Sequence, residues 1–170
     1  MAATQGIVRY HLNAQTITFR VEGRAVMNLS LPLRRCAERH LATGTMNVLV
    51  DLRDCNYMDS TFMGTLLTLK KSLDRTPGGG ELTLVAPSES CCKILNQMGL
   101  TDVFPAQAVA LDPQATWTEL PASVDDVNSF KRNIAQAHEE LAALPGPAGE
   151  QFQAVARCLA ESNKTDNPPK

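Results

Sequence analysis

Three polar residues, Asp59-Ser60-Thr61, interrupt the run "YMDSTFMGTLL" (57–67) between an apolar pair and a helix-period apolar series. A hydroxyl at such a junction has two uses. The first turn of a helix carries unpaired N–H groups and a positive dipole end, so Ser60 or Thr61 can cap it, worth about 1 kcal/mol relative to Ala. The same N–H groups can hold a phosphoryl group, which adds about −1.5 to −2 charge and several acceptor oxygens without any basic cluster. Asp51, Asp54 and Asp59 make this end of the chain's sheet acidic, so a partner shaped for an uncharged hydroxyl would meet repulsion after phosphorylation.

Other chemistry-bearing residues form no comparable group. His11, His40 and His138 are scattered, and none pairs in sequence with a serine or cysteine nucleophile or makes a metal-binding word. Five cysteines stand at 36, 55, 91, 92 and 158 with no C-x-x-C spacing, and they read as reduced thiols. Cys91-Cys92 could close a disulfide only through a strained ring. "PGGGE" has no strand before it and no Lys-Ser/Thr after it, so it is a turn and not a phosphate loop. The expectation is a protein that is not an enzyme and that uses neither metal nor cofactor.

The elements that must position Ser60 follow from periodicity. "GIVRYHLN" and "TITFRVEG" alternate apolar with polar residues around Asn13-Ala14-Gln15, the pattern of a β-hairpin. Leu29, Leu33, Cys36, Ala37 and His40 recur at helical spacing up to Thr43-Gly44. "MNVLVDL" and "ELTLVAP" are continuous apolar runs, as in strands buried on both faces. Phe62, Leu66, Leu69 and Leu73 keep a helical rhythm after Ser60, with Lys70-Lys71 and Arg75 loading its C-terminal turns. Ser88 opens a helix that Gly99 closes, and "VFPAQAVALD" supplies a last edge strand, with Pro105 near the margin. The order is β-β-α-β-α-β-α-β, an α/β fold with a central mixed sheet of four to five strands.

Beyond Pro113 and Pro121, Val127, Phe130, Ile134, Ala137, Leu141 and Leu144 form a heptad-like stripe within a helix over 122–144. "PGPAG" interrupts it, and Phe152, Val155, Ala156 and Leu159 define a second helix. The reading divides the chain into a domain over 1–112, a linker over 113–121, a helical extension over 122–160 and a disordered tail over 161–170. Packing of the extension on its own domain is preferred, with homodimerisation through it second. Lys and Arg number 16 against 18 Asp and Glu, a net charge of −2, which gives nucleic acid no electrostatic footprint. No apolar run reaches the ~20 residues needed to cross a bilayer, and the N-terminus lacks a signal-like stretch, so a cytoplasmic location is expected.

"NVLVDLRDCNYMDSTFMGTLL" resembles the signature of STAS domains, the family that includes bacterial anti-sigma factor antagonists: a strand ending in Asp, an acidic turn, Asp-Ser, then a helix with a Gly among apolar residues. "GGGELTLVAPSESCCKILNQMGLTDVF" is similar to the family's second half, and the resemblance runs from about Gly6 to Asp112. It implies a STAS-like fold and a binding module in transcription regulation. It also implies that Ser60, with Thr61 as the alternative, is phosphorylated by an anti-sigma factor serine kinase, that a phosphatase reverses this, and that Asp59, Ser60, Thr61, Phe62 and Met63 meet the partner. The family pattern reads Asp-Ser-Ser-Gly-Leu-Gly, so Gly64 is kept while Phe62 replaces a glycine. Phe62 either packs inward on Leu66 or anchors a partner, and packing is preferred. The alternative function is a scaffold in a signalling or transport complex, with Ser60 only a cap.

Overall fold

The computed structural model describes residues 5–104, 106–122 and 126–165. Strands β1 (Ile7–Asn13) and β2 (Thr16–Ala25) form the expected antiparallel hairpin, with Val8 opposite Val21 and Tyr10 opposite Phe19. Its tight turn holds Ala14 at φ 49°, a left-handed conformation that costs a residue with a Cβ. Helix α1 (Met27–Leu41) buries Leu29, Leu33, Cys36 and Ala37, as its spacing requires. Strand β3 (Asn47–Asp51) returns parallel to β2, placing Ile17 beside Val48 and Phe19 beside Val50.

A short strand that periodicity did not reveal, β4 (Cys55–Met58), then pairs with the far end of β2. One strand thus serves two partners on the same path: Thr16–Arg20 pair with β3 and Gly23–Ala25 with β4, across a register shift at Gly23 (φ 74°). Helix α2 (Ser60–Asp74) follows, then β5 (Glu81–Val85) parallel to β3, and α3 (Glu89–Gln97), whose end turns at Gly99 (φ 69°). Strand β6 (Ala106–Gln107) is the parallel edge expected from "VFPAQAVALD", while Pro105 lies outside the described residues.

Within the stretch read as a linker, β7 (Thr118–Leu120) pairs antiparallel with β1. The sheet therefore has seven strands among the described residues, in the order β6-β5-β3-β2-β1-β7 with β4 beside β2. It is mixed, as expected, and larger by two short strands that carry too few residues to show an alternation. Helix α4 (Val127–Ala142) starts later than residue 122, and residues 123–125 lie outside the described residues. Helix α5 (Pro147–Thr165) runs into the segment expected to be disordered, of which 166–170 lie outside the described residues.

The core is one contiguous apolar cluster that joins Ile17, Phe19, Val48 and Val50 of the sheet to Leu33 of α1, Leu66 and Leu69 of α2, and also Leu141 of α4 and Phe152 of α5. Asp51, at the end of β3, has a fully buried side chain held by Arg20 Nε at 3.3 Å and by Arg53 Nε at 3.1 Å and Arg53 N at 3.2 Å. Arg20 in turn lies 4.1 Å over the Trp117 ring, so this carboxylate ties β2, the β3–β4 turn and the approach to β7. Because hydrogen bonds to a charged group contribute about 1.5–3 kcal/mol, Asp51→Asn should lower unfolding free energy by that amount in urea titrations.

Candidate functional site

Helix α2 begins at the junction that drew attention in the sequence, and its cap is the carboxylate of Asp59. Asp59 Oδ1 accepts from Phe62 N at 2.8 Å, while Oδ2 accepts from Met27 N, also at 2.8 Å. One side chain thus serves the first turns of α2 and α1 together, and Asp59 N donates to Ala25 O at 3.0 Å. The hydroxyls of Ser60 and Thr61 are spared that duty, which corrects the reading of either as the cap. Burial pushes the Asp59 carboxyl above its ordinary range, against the two N–H donors and the nearby His138, which hold it down.

Ser60 occupies the first helical position and is half-buried. Its Oγ lies 2.9 Å from His138 Nε2, and His138 Nδ1 lies 2.8 Å from the Ile134 carbonyl. A carbonyl only accepts, so Nδ1 carries the hydrogen, and in the neutral ring Nε2 must accept the Ser60 proton. Sequence separation of 78 residues hid this pair, and the reading that no histidine meets a serine is corrected. The ring itself is buried, edge-on to Phe152 with centroids 6.4 Å apart. A serine within reach of an imidazole base has the spacing of an activated nucleophile, although α4 carries that base directly over the hydroxyl.

The cover continues along α2. Asn133 Nδ2 donates to Thr65 Oγ1 at 3.2 Å, and Thr65 in turn donates to Thr61 O at 2.8 Å. Arg34 of α1 reaches Asn133 Oδ1 at 3.2 Å and Gln136 Oε1 at 2.7 Å, and Lys71 pairs with Glu140 at 2.5 Å. At Gly64 the two helices meet backbone to backbone: a Cβ there would overlap the Ala137 carbonyl and stand 2.8 Å from the Ala137 Cβ. As a result every residue from Thr61 to Leu69 is buried.

Of the residues expected to meet a partner, Asp59 and Ser60 are half-buried, while Thr61, Phe62 and Met63 are buried in this structure. Phe62 is 1% exposed and belongs to the core cluster, the inward packing that was preferred. The acidic end is less acidic than its three aspartates imply. Asp51 is neutralised by two arginines and Asp59 is spent on caps, which leaves Asp54 exposed. On α4 the apolar stripe was only half the pattern. Leu141 and Ala137 are buried, but Asn133 and His138 are buried too, whereas Val127 is 59% exposed. The available signal was the i, i+4, i+8 series Asn133, Ala137, Leu141, a row that a purely apolar count passes over.

With this geometry in place, comparison with known proteins gives the class. The model of the STAS domain matches residues 8–113, well over half of the chain, and the chain belongs to that family. Helices α4 and α5 lie beyond the match. An anti-sigma factor antagonist, SpoIIAA, in its unphosphorylated form has a similar structure, with a TM-score of 0.52 at 17% identity over 59% of this chain and 88% of its own. The NMR structure of TM1081 gives 0.52 at 18% identity over 59% and 79%. An anti-sigma factor antagonist from Mycobacterium paratuberculosis gives 0.50 at 16% identity over 64% and 89%. At these identities the likeness is one of fold. A search of curated proteins finds no match.

Two measurements test this packing. Phe62→Ala should cost about 3–5 kcal/mol in urea unfolding, as a large core truncation does; a change within about 0.5 kcal/mol, the size of an ordinary surface substitution, would mean that the ring is not held in the core. Asp59, with its folded value raised, binds its proton more tightly folded than unfolded, so its contribution to stability is greatest below about pH 4 and is lost as pH rises through the raised value. Asp59→Asn keeps a capping acceptor and removes that loss, so its stability relative to the natural chain should increase from about pH 4 upward and then level off.

Proposed function

We propose that this STAS protein is an anti-sigma factor antagonist of the bacterial cytoplasm, which binds an anti-sigma factor serine kinase through the start of α2 and is released by phosphorylation of Ser60. A phosphatase would restore the binding form, and transcription would be regulated indirectly, through the sigma factor set free. The supporting observation is the placement of Ser60 as the first residue of α2, behind a cap made by Asp59 and not by its own hydroxyl. Its Oγ is therefore not consumed by the fold's own capping, and a phosphoryl group there would sit at the positive end of a 15-residue helix. Thr61, the alternative acceptor, is 3% exposed. Among the described residues no helix is long and apolar enough to cross a membrane.

The scaffold reading draws support from the Ser60–His138 bond, since a hydroxyl held by α4 can serve as a structural anchor. The same bond also favours a serine nucleophile.

Intact mass after incubation with an anti-sigma factor serine kinase and ATP separates these readings. One phosphoryl group should appear on the natural chain and on Thr61→Ala and be absent from Ser60→Ala, and Ser60→Asp should bind the kinase at least tenfold more weakly, about 1.4 kcal/mol. Equal phosphorylation of Ser60→Ala, or undiminished binding by Ser60→Asp, would support the scaffold. Labelling of Ser60 by a fluorophosphonate would support the nucleophile.

A further inference from the structure

We infer that α4, carried by α5, is an intramolecular occupant of the α2 docking face, and that a partner reaches Ser60 by displacing it. The inference rests on the reading of α2 as the docking face and adds what controls access to it.

The chemistry of the hidden surface carries the inference. On the side of α2 that α4 covers, the contacts are made by Ser60, Gly64, Thr65 and Lys71, polar or small residues at helical spacing. The opposite side, with Phe62, Leu66, Leu69 and Leu73, supplies the core. Facing the polar stripe, α4 offers Asn133, Gln136, Ala137, His138 and Glu140. The bonds across the interface are hydroxyl to imidazole, amide to hydroxyl and ammonium to carboxylate, with the Arg34 guanidinium of α1 holding the Gln136 amide beside them. Water can replace each of these bonds, so the cost of parting falls mainly on Leu141 and Phe152, which leave the apolar cluster. Interfaces of this polarity are typical of elements that separate and re-engage, and local opening below the global unfolding free energy is the corresponding motion.

What holds α4 down at rest is equally visible. Leu141 and Phe152 join the apolar cluster, and Gln151 Nε2 donates to Met98 O at 2.9 Å beside the end of α3. Gly64 permits the seating, because any side chain at that position meets the Ala137 backbone. A kinase must approach the Ser60 hydroxyl from outside α2, and the ring of His138 stands there at hydrogen-bond distance. Docking of α4 and docking of a partner at Ser60 are therefore competing events, and their equilibrium sets the partner's apparent affinity.

Site-specific alkylation of the full chain tests this without any kinase. In Ser60→Cys, iodoacetamide labelling is followed peptide by peptide, with exposed Cys92 and Cys158 as open references and buried Cys36 and Cys55 as reporters of global unfolding. The introduced thiol should react at least tenfold more slowly than Cys158 and at least tenfold faster than Cys36 and Cys55. Adding Gly64→Ala, which α4 cannot accommodate but which suits a helix interior, should raise the rate at position 60 about tenfold while Cys36 and Cys55 stay protected. The inference is overturned if the introduced thiol already reacts as fast as Cys158, since Ser60 is then never covered. It is equally overturned if that thiol reacts only in step with Cys36 and Cys55, since α4 is then a permanent part of the core. Failure of Ser60 to accept phosphate from a kinase would remove the docking reading and leave these labelling rates unchanged, so the two failures are distinguishable.

Discussion

From Thr61 to Leu69 helix α2 is covered on every side, and most of what is distinctive about this protein follows from that constraint. A helix at the surface of an α/β domain normally buries one stripe and leaves the other to water. Here Thr61 to Leu69 are buried without a break. One side is anchored by Phe62, Leu66 and Leu69 in the core, and the other is closed by α4, whose backbone meets that of α2 at Gly64, where no side chain intervenes. Both the presentation of Ser60 and its concealment depend on this double packing.

The two sides differ in physical kind. Toward the core, burial is apolar and its stabilisation scales with area removed from water. Toward α4 it consists in large part of hydrogen bonds and an ion pair, whose net contributions are individually small because water offers nearly equivalent partners. The first side fixes the fold and holds α2 in place. The second is held by these weaker bonds together with Leu141 and Phe152 at the edge of the core, which gives a STAS domain with an added helical pair a means of access control.

The Asp59 cap belongs to both sides. By accepting from Phe62 N and Met27 N it locks the starts of α2 and α1 into one unit and leaves the Ser60 hydroxyl free to donate to His138. Had Ser60 been the cap, its oxygen would already be engaged with the N–H groups of the first turn. A carboxylate cap separates stabilisation of the helix from chemistry at the neighbouring residue.

The sequence by itself determined the hairpin, the buried parallel strands, the three helices of the domain and the Asp-Ser junction, because these depend on local periodicity and on end signals within a few residues of one another. Inward packing of Phe62 was legible for the same reason: it shares a stripe with Leu66 and Leu69. Strands β4 and β7 were not legible, since four and three residues are too few to display an alternation and their pairing partners lie far along the chain. Only the tertiary structure decided that Asp59 and not a hydroxyl is the cap, that Asp51 is neutralised by Arg20 and Arg53, and that His138 meets Ser60. Each of these is a polar contact selected by geometry between distant segments. Hydrophobic pattern carries no record of which donor will find which acceptor, and so the cover over Ser60 became visible only when α4 was seen lying on α2.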